Sequence, residues 1–546
     1  MSTRSAAVEH VIRWHTEEDA ARFRAHGWWS DRCLFEIVDA WAGRTGEKLA
    51  VTDGTYEWTY GQLRDVSLRA AQVLLDLGVR PGDAVTVQIP NSALIPALHS
   101  AVNRLGAVFV PIPEMWRASE VEAVVRGSRA SVLLVPDGAG FDHVAMAKDI
   151  QENTPHLGCV MSLTGPDSFM DRVAVACPDL TAIAALRPSP DDVLSVICSS
   201  GTTGIPKLSA FSSNNVLTNM SQVADAIGLG HDDVMGGIAP SNTGSTGYLY
   251  GVLGPLVLGA TAHILGRWSA RAAAELLSGR GATVAVAIPT QIVMLMDPEL
   301  SDHDYTPLRA FLNGGAALPV SVATTAEERM GCALLGIYGA SESAFPTCGR
   351  HDDPAGKRRT TVGRVVPGQE LRLVDGNGDD VPPGEPGEVL WRGPNSSFGF
   401  LNQPQLDAMA FDDSGFFHSG DLGVLDDDGY LRIVGRLKDM ILRGGLNIYP
   451  AEVESLLFEM SKVADAAVVG IPDARLGERA CAVVVLADGA EPLEVAEVGA
   501  FLEAAGLARF KHPEFVVAVD ELPRAASAKL DKARIRTMAH HLVHGL

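Results

Sequence analysis

The N-terminal part of the chain alternates short apolar runs with amphipathic stretches, and this alternation constrains the possible folds more than any other feature. Ala84–Ile89 and Ser131–Val135 have the apolar composition of buried strands. Helical stretches lie between them, roughly at 92–105 and in a segment that Ser119 and Glu122 are predicted to cap. Repeated strand–helix units predict parallel sheets that are covered by helices.

The pattern changes near residue 370, where short strands are separated by turns rich in glycine and aspartate. After residue 436 the chain alternates short helix-like and strand-like runs. We therefore predict an α/β fold with a large N-terminal domain (1–436) of two helix-covered parallel-type sheets and a small β subdomain at about 365–436. A small, mobile α+β C-terminal domain (437–546) comes after it. A chain of 546 residues is too long for one hydrophobic core, which agrees with this division.

Acidic side chains outnumber basic ones, 67 to 44, and give a formal net charge of −23. This balance argues against nucleic acid or an anionic membrane as a partner. The segment 234–266 lacks Asp, Glu, Lys and Arg, but Pro240 and Pro255 interrupt it, so we predict a buried core segment and no membrane span. The 7 cysteines are scattered without paired spacing, which predicts reduced thiols and a cytoplasmic location.

One loop-like run, Ser199 to Lys207, combines hydroxyl side chains, glycines and a lysine directly after an apolar stretch. Glycines allow several backbone N–H groups to converge, and the hydroxyls and the lysine add donors and charge, so the run suits a polyphosphate. The run lacks the Gly-Lys-Ser/Thr ending of a Walker loop. Turns of similar composition are also common on protein surfaces. The run therefore indicates a function only in combination with the motifs that lie downstream of it.

Five further motifs occur in order along the chain. Asn313-Gly314-Gly315-Ala316 offers small residues that let a flat base approach the backbone. Tyr338-Gly339-Ala340-Ser341-Glu342 offers an aromatic ring for stacking, a hydroxyl for a phosphate and a carboxylate for Mg²⁺. Asp421 is placed to bind a ribose diol, Arg436 comes later in a Gly-Arg pair, and Lys529 stands in a short loop near the C-terminus.

This ordered set resembles the ANL superfamily of adenylate-forming enzymes, which includes acyl- and aryl-CoA ligases, adenylation domains and luciferases. The resemblance runs from about residue 30 to 540 and is greatest to aryl-acid and cyclohexanecarboxylate-type CoA ligases. It implies activation of a carboxylic acid by ATP and Mg²⁺ to an acyl-adenylate, with release of pyrophosphate. The acyl group then passes to a thiol, usually that of coenzyme A. The barrier is largely electrostatic because an anion attacks a polyanion.

The resemblance also implies a role for each matching residue. The catalytic residues would be Lys529, Glu342, Ser341 and Lys207, with Glu342 as the metal ligand. The nucleotide-binding residues would be Ser199, Thr202, Thr203, Gly204, Gly314, Gly315, Ala316, Tyr338, Gly339, Asp421 and Arg436. A hinge would lie at Lys438, and Gly444 and Gly445 would border the thiol tunnel.

The acid-binding pocket departs from the family pattern. Relatives carry a gating aromatic residue or histidine where this chain has small polar residues, and the predicted pocket residues are Asn242, Gly244, Thr246, Gly247 and Tyr248. We therefore expect a wide pocket and a bulky acid, which would be polycyclic, terpenoid-like or a large aryl acid. Acetate or a short fatty acid as the best substrate would contradict this expectation.

Two other departures affect the second half of the reaction. Leu446 replaces a common glutamate, and Ala528 replaces the glycine that usually precedes the catalytic lysine. They leave a carrier-protein thiol or a partner enzyme open as the acyl acceptor. A family member that binds nucleotide without turnover is a further alternative, although the intact Lys207, Glu342 and Lys529 count against it. The sequence leaves a homodimer open.

Overall fold

The computed structural model describes residues 7–138, 140–199, 206–241, 245–316, 318–524 and 530–544. The chain forms two compact units. The first comprises Met1–Ala316, Thr325–Leu371 and Trp391–Phe417, and the second comprises Ala317–Thr324, Arg372–Leu390 and His418–Leu546. The boundary at 436–437 and the hinge at Lys438 stay predictions.

Strands and helices alternate through most of the chain. The strands are β1 (Leu49–Thr52), β2 (Glu57–Thr59), β3 (Ala84–Ile89), β4 (Val108–Pro113), β5 (Ala130–Val135), β6 (Cys159–Ser162), β7 (Val193–Ser199), β8 (Lys207–Ser212), β9 (Val234–Gly237), β10 (Thr261–Ile264), β11 (Val284–Ala287), β12 (Ala310–Gly314), β13 (Ala333–Ala340), β14 (Ala344–Cys348), β15 (Arg364–Val365), β16 (Glu370–Val374), β17 (Gly387–Arg392), β18 (Phe417–Leu425), β19 (Leu431–Arg436), β20 (Ile441–Arg443), β21 (Leu446–Ile448), β22 (Val463–Asp473), β23 (Gly477–Leu486) and β24 (Phe515–Ala518). The α-helices are α1 (Glu17–Ala25), α2 (Leu34–Thr45), α3 (Tyr60–Asp76), α4 (Leu94–Arg104), α5 (Ala118–Ser128), α6 (His143–Glu152), α7 (Phe169–Val175), α8 (Leu180–Ala184), α9 (Ser213–Ile227), α10 (Gly254–Val257), α11 (Ala270–Gly279), α12 (Pro289–Leu295), α13 (Val320–Met330), α14 (Ala355–Thr360), α15 (Pro404–Ala410), α16 (Pro450–Leu457), α17 (Val495–Ala504) and α18 (Lys532–His544). A π-helix spans Thr246–Leu253, and short 3₁₀ turns span Pro298–Leu300, Leu437–Asp439 and Arg509–Lys511.

The first unit contains two large sheets. One has the strand order β15-β14-β13-β12-β11-β9-β10-β1-β2, and the other has the order β6-β5-β3-β4-β7-β8. The interior pairs of both sheets are parallel, whereas antiparallel strands lie at their edges, including β8 beside β7. The prediction of two parallel-type sheets is confirmed.

A continuous core joins the two sheets of the first unit. Val85 and Val87 of β3 and Val284 and Val286 of β11 belong to one cluster of buried apolar side chains. Helix α4 contributes to the same cluster and is buried along its whole length. A helix that is buried all round must lie inside a layered domain, so α4 belongs to the interior and not to the surface.

Helix starts follow local capping rules, with one correction to the sequence prediction. The side chains of Thr59 and Gln62 form the predicted capping box at the start of α3. The predicted cap at Ser119 and Glu122 is wrong, because α5 already begins at Ala118. There the carboxylate of Glu120 accepts a hydrogen bond from the backbone N–H of Arg117 at 3.2 Å, which places the start of the helix earlier.

The second unit contains most of a small sheet, ordered β16-β17-β18-β19, and a mixed sheet of β20 to β24 in which β22 and β23 form the longest antiparallel pair. Val468 of β22 belongs to one buried cluster and its neighbour Val469 to another. Because neighbouring side chains of a strand point to opposite faces, both faces of this sheet are covered. The predicted small β subdomain and the smaller α+β C-terminal domain are confirmed as parts of the fold, and their residue bounds stay predictions.

All 7 cysteines lie in the described ranges, and none of them forms a disulfide. The segment 234–266, for which a buried location was predicted, contains β9, β10, α10 and the π-helix, and most of its described side chains are buried. In the described part of the chain, no helix combines the length and the apolar character that crossing a bilayer requires.

Candidate active site

The antiparallel pair β7–β8 frames the predicted phosphate loop. Ser199 ends β7 and Lys207 begins β8, and the two residues are direct partners in the register of this pair. The predicted residues Thr202, Thr203 and Gly204 lie outside the described residues. The pair therefore fixes where the loop starts and ends, at the edge of the six-stranded sheet.

The carboxylate of Glu342 lies against both ends of this loop. Its Oε1 atom accepts a hydrogen bond from Ser199 Oγ at 3.2 Å and lies 3.3 Å from Lys207 Nζ. The side chain of Glu342 is 18% exposed and that of Lys207 is 33% exposed, so solvent and ligands can reach both groups. A hydroxyl, a cation and a carboxylate thus meet where a polyphosphate loop was predicted.

A tight hairpin between β13 and β14 brings Glu342 to this position. The two strands are antiparallel, and their register shifts between Tyr338 and Ala340. A Cβ atom on Gly339 would lie 2.2 Å from the carbonyl oxygen of Ala344, so no other residue fits there without rearrangement. Ala344 is buried and has a φ of 67°, a conformation that costs free energy in a residue with a side chain. Strained backbone of this kind clusters at functional sites.

The aromatic ring of Tyr338 lies beside Trp391. The ring centroids are 5.8 Å apart in an edge-to-face arrangement, and the indole N–H of Trp391 donates to the carbonyl of Ser343 at 2.9 Å. Tyr338 is 9% exposed. Trp391 therefore supports both the predicted base-stacking residue and the hairpin turn, a role that was not predicted from the sequence.

The carboxyl end of β12 lies next to the carboxyl end of β13 in the nine-stranded sheet. Gly314 ends β12, and a Cβ atom there would approach the Ile337 side chain to 2.6 Å. Gly315 has a φ of 97° and is exposed. Ligands of α/β sheets commonly bind at the carboxyl ends of the strands, where Gly314, Gly315 and Ala316 lie.

The predicted acid pocket falls partly on the π-helix, whose first three residues are Thr246, Gly247 and Tyr248. Asn242 and Gly244 lie outside the described residues. A Cβ atom on Gly247 would lie 2.1 Å from the carbonyl oxygen of Pro240, so this close approach requires glycine. Isolated π-helical turns are rare and occur often at functional sites.

Ser341, the predicted phosphate donor, lies near the start of this π-helix. Its Oγ atom is 3.4 Å from the Oγ atom of Ser245, the residue that precedes the π-helix. Ser245 is 3% exposed and was not among the predicted site residues. The hairpin that carries Glu342 and the helix that carries the predicted pocket residues therefore touch through two hydroxyl groups.

A buried polar cluster lies behind the π-helix. His99 Nε2 is 2.9 Å from Ser195 Oγ, and the His99 ring stands edge-on to Tyr248 with centroids 6.2 Å apart. Burial lowers the pKa of His99 to about 3 and raises the pKa of Tyr248 above its ordinary value. Both side chains are therefore neutral at physiological pH. The sequence offered no signal for His99, which lies in the apolar helix α4.

In the second unit, Asp421 and Arg436 form a cross-strand pair. They are register partners on β18 and β19, and Arg436 Nε lies 2.8 Å from Asp421 Oδ1. The Asp421 side chain is 11% exposed and that of Arg436 is 50% exposed. The carboxylate of Glu388 on β17 accepts from the backbone N–H of Gly420 at 3.0 Å and holds the turn before Asp421. Glu388 was not predicted from the sequence.

The predicted thiol-tunnel glycines form the turn of the β20–β21 hairpin. Gly444 and Gly445 have φ values of 58° and 84° and are exposed. Two consecutive residues with positive φ match the preferred turn of a two-residue hairpin. Next to them, Arg443 donates to Glu514 at 2.8 Å. Burial would raise the pKa of Glu514, but the hydrogen bonds from Arg443 and Arg479 outweigh it and hold that pKa below its ordinary value.

Lys529, the predicted catalytic lysine, lies outside the described residues. Arg524 and Leu530, which stand on either side of residues 525–529, form an antiparallel bridge. The backbone N–H of Asp531 also donates to the carbonyl of Pro523 at 2.9 Å. Lys438, the predicted hinge, lies in the 3₁₀ turn that comes directly after β19.

The single carboxylate of Glu342 suits Mg²⁺, an ion that needs few protein ligands. In the described ranges no group of three or more His, Cys, Asp and Glu side chains could enclose a metal. Mg²⁺ commonly binds one or two carboxylates and takes its other ligands from water and substrate phosphates. A single carboxylate beside a phosphate loop therefore fits Mg²⁺ that arrives with a nucleotide.

Comparison with known proteins identifies two family domains. The profile of the AMP-binding enzyme family matches residues 38–401, and that of the AMP-binding enzyme C-terminal domain matches residues 452–529. These ranges include Lys207 and Glu342 in the first domain and Gly477 and Glu514 in the second.

Characterised relatives align over nearly the whole chain. The medium-chain fatty-acid–CoA ligase of Escherichia coli K12 is 33% identical over 95% of this chain and 93% of its own length. The salicyl-AMP ligase / salicyl-S-ArCP synthetase of Mycobacterium tuberculosis H37Rv is 33% identical over 94% of this chain and 92% of its own length. The crystal structure of ATP-bound MatB from Rhodopseudomonas palustris superposes with a TM-score of 0.83 at 28% identity, covering 92% of this chain and 99% of that one.

Proposed function

Because this chain belongs to the AMP-binding enzyme family, we propose that it is an acid–thiol ligase that activates a bulky carboxylic acid with ATP. In the first step an oxygen of the substrate carboxylate forms a bond to the α-phosphorus, and pyrophosphate leaves. In the second step a thiol sulfur attacks the acyl carbon, the bond to the phosphate oxygen breaks, and AMP leaves. The thiol loses its proton, and the products are a thioester and AMP.

The observation that carries this proposal is the meeting of Ser199, Lys207 and Glu342 at the ends of the predicted phosphate loop. Pyrophosphate departs with a large negative charge, and a fixed cation stabilises that charge as it develops. In this proposal Lys207 contacts the β- and γ-phosphates and Ser199 contributes a hydroxyl donor. Glu342 would hold the Mg²⁺ that accompanies the nucleotide, and the bound ion would supply positive charge to its phosphates.

The remaining predicted residues divide between nucleotide and acid. We assign Tyr338 to stacking on the adenine, the carboxyl ends of β12 and β13 to the approach of the base, and Asp421 with Arg436 to the ribose. Lys529 would contact the substrate carboxylate and the α-phosphate. The hinge at Lys438 is proposed to move the C-terminal domain between the two half-reactions.

A bulky acid is proposed because the neighbourhood of the π-helix is built from small residues. Ser245, Thr246 and Gly247 stand at its start, and no aromatic gate occurs among these described residues. A comparison of naphthoate and salicylate with octanoate and acetate tests this part. Turnover that is fastest with acetate would contradict it.

Coenzyme A is the proposed acceptor, and a carrier-protein thiol is the alternative. The exposed Gly444-Gly445 turn offers a backbone without side chains, which suits the approach of a narrow thiol arm to either acceptor. The test is to incubate the intact protein with ATP, Mg²⁺ and the acid panel, with and without coenzyme A, and to identify products by mass spectrometry. An acyl-CoA with one AMP per thioester supports the proposal. Acyl-AMP that persists in the presence of coenzyme A favours a carrier-protein thiol.

A further inference from the structure

The segment Ser397–Asp407, here called the bracket, covers the outer edge of β8. β8 is the last strand of the six-stranded sheet, so the backbone groups on its outer side need partners from elsewhere. The bracket supplies them: Phe398 N–H donates to Ala210 O at 2.8 Å, Ala210 N–H donates to Gly399 O at 2.9 Å, and Leu401 N–H donates to Leu208 O at 2.7 Å.

The side chain of Gln403 continues this pairing beyond the backbone hydrogen bonds of the bracket. The amide oxygen of Gln403 accepts from the backbone N–H of Leu208 at 2.9 Å, and its amide nitrogen donates to the carbonyl of Pro206 at 3.0 Å. These two backbone groups lie on either side of Lys207. A carboxamide presents a donor and an acceptor side by side, as a peptide group does, so glutamine can take the place of a neighbouring strand here.

The bracket also contacts both members of the charged pair. The Phe400 ring centroid lies 5.8 Å from Lys207 Nζ, and Ser397 Oγ donates to the backbone carbonyl of Glu342 at 2.6 Å. One segment, which is more than fifty residues distant from both in sequence, therefore contacts the Lys207 ammonium group and the backbone of Glu342.

Trp14 and His10, near the N-terminus, hold the bracket in place within the first unit. The indole N–H of Trp14 donates to the carbonyl of Ser397 at 2.9 Å, and the ring of His10 contacts the Asp407 carboxylate at 2.9 Å. The other oxygen of Asp407 accepts from Phe400 N–H at 2.7 Å. The bracket is thus fixed at both of its ends.

We propose that Gln403 is a positioning residue that fixes the backbone on both sides of Lys207 and so sets where its ammonium group meets the nucleotide phosphates. This inference rests on the proposed function. Gln403 does not touch the reacting atoms in this proposal and acts through Lys207 alone. A displacement of about 1 Å in a positioned group can change a rate about a hundredfold. We therefore expect loss of the two Gln403 hydrogen bonds to affect nucleotide binding more than folding.

The test uses Gln403→Met, which keeps the length of the side chain and removes both hydrogen bonds. Gln403→Asn is a second variant, because it is too short by one methylene group to reach both partners. The matched control is Gln151→Met. Gln151 is also half-buried and donates to a backbone carbonyl, that of Leu157 at 3.0 Å, but it lies at the end of α6. Each change is made alone and together with Lys207→Met.

The readouts are the Kd for ATP in the presence of Mg²⁺, measured by calorimetry, the KM for the acid, and the melting temperature. We expect Gln403→Met and Gln403→Asn to weaken ATP binding about tenfold, with the KM for the acid unchanged within about twofold. In the Lys207→Met background the same changes should alter the Kd by less than about twofold, because the residue through which they act is gone.

Two results would overturn the inference alone while the proposed function stands. One is a Kd in the Gln403 variants equal to that of the Gln151 control. The other is a loss of the same size with and without Lys207, which would indicate a general structural effect. A wild-type protein that binds no ATP would refute the proposed function and this inference with it.

Discussion

The replacement Glu342→Gln tests the proposed metal and phosphate site most sharply. It removes one negative charge and leaves the shape of the side chain nearly unchanged. The amide oxygen can still accept hydrogen bonds from Ser199 and Lys207, which lie 3.2 and 3.3 Å from Oε1. The replacement therefore separates the charge of Glu342 from its packing.

The effect expected on stability is much smaller than the effect expected on the reaction rate. An ion pair at 3.3 Å in which the lysine side chain is 33% exposed contributes at most about 1 kcal/mol to stability after screening by solvent. A carboxylate that holds a cation at a developing charge contributes about 3 kcal/mol to lowering the barrier, which is about a hundredfold in rate. We therefore expect a large loss of activity with a shift of a few degrees or less in melting temperature.

The assay is the acid-dependent exchange of labelled pyrophosphate into ATP, measured over a range of Mg²⁺ concentrations. The variant should show a rate about a hundredfold lower and require more Mg²⁺ for half-maximal exchange. Glu370→Gln is the control, since Glu370 pairs with Arg392 at 2.9 Å and takes no part in the proposed site. A Glu342→Gln protein with a rate within about threefold of the control and an unchanged Mg²⁺ dependence would show that Glu342 does not hold the metal ion.

Three further predictions concern other parts of the molecule. Asp421→Asn should weaken ATP binding about tenfold in calorimetry, because it removes the charge that faces Arg436 at 2.8 Å, and an unchanged Kd would contradict the ribose assignment. Gly339→Ala should lower the free energy of unfolding by about 1–3 kcal/mol, since its Cβ atom would lie 2.2 Å from the Ala344 oxygen; a melting temperature equal to the wild type's would disprove this. The pKa of His99 is about 3 in the folded chain against an ordinary 6.5, so the unfolded chain binds the proton first and stability falls as pH drops below 6.5. Between pH 7 and 5 this loss is about 2 kcal/mol, and urea unfolding of His99→Gln should show a correspondingly smaller pH dependence.

Local features of the fold could be predicted from the sequence where one physical rule dominates. The mainly apolar run Ala84–Ile89 forms β3 with the predicted bounds, because a short run of this composition suits a strand buried on both faces. The capping box at Thr59 also forms as predicted. The start of α5 was predicted wrongly from the spacing of Ser119 and Glu122. The carboxylate of Glu120 instead accepts a hydrogen bond from the backbone of Arg117, so the helix starts earlier.

The contacts within the candidate site could not be predicted from the sequence, and the roles of its residues stay predictions. Glu342 and Ser199 stand 143 positions apart in the sequence, and no local pattern indicates that their side chains meet. The π-helix over Thr246–Leu253 was missed because its apolar sequence does not distinguish it from an α-helix. The role of Gln403 was missed because its partners lie 195 and 197 positions earlier.

We propose that this chain joins a carboxylic acid to AMP at a site where Lys207 and Glu342 meet. The most direct measurement is the exchange of labelled pyrophosphate into ATP by the intact protein, with a panel of aryl, polycyclic and aliphatic acids. We predict exchange that requires both Mg²⁺ and a bulky acid and that falls about a hundredfold in Glu342→Gln. Exchange that is absent with every acid, in a folded protein that also fails to bind ATP, would contradict the claim.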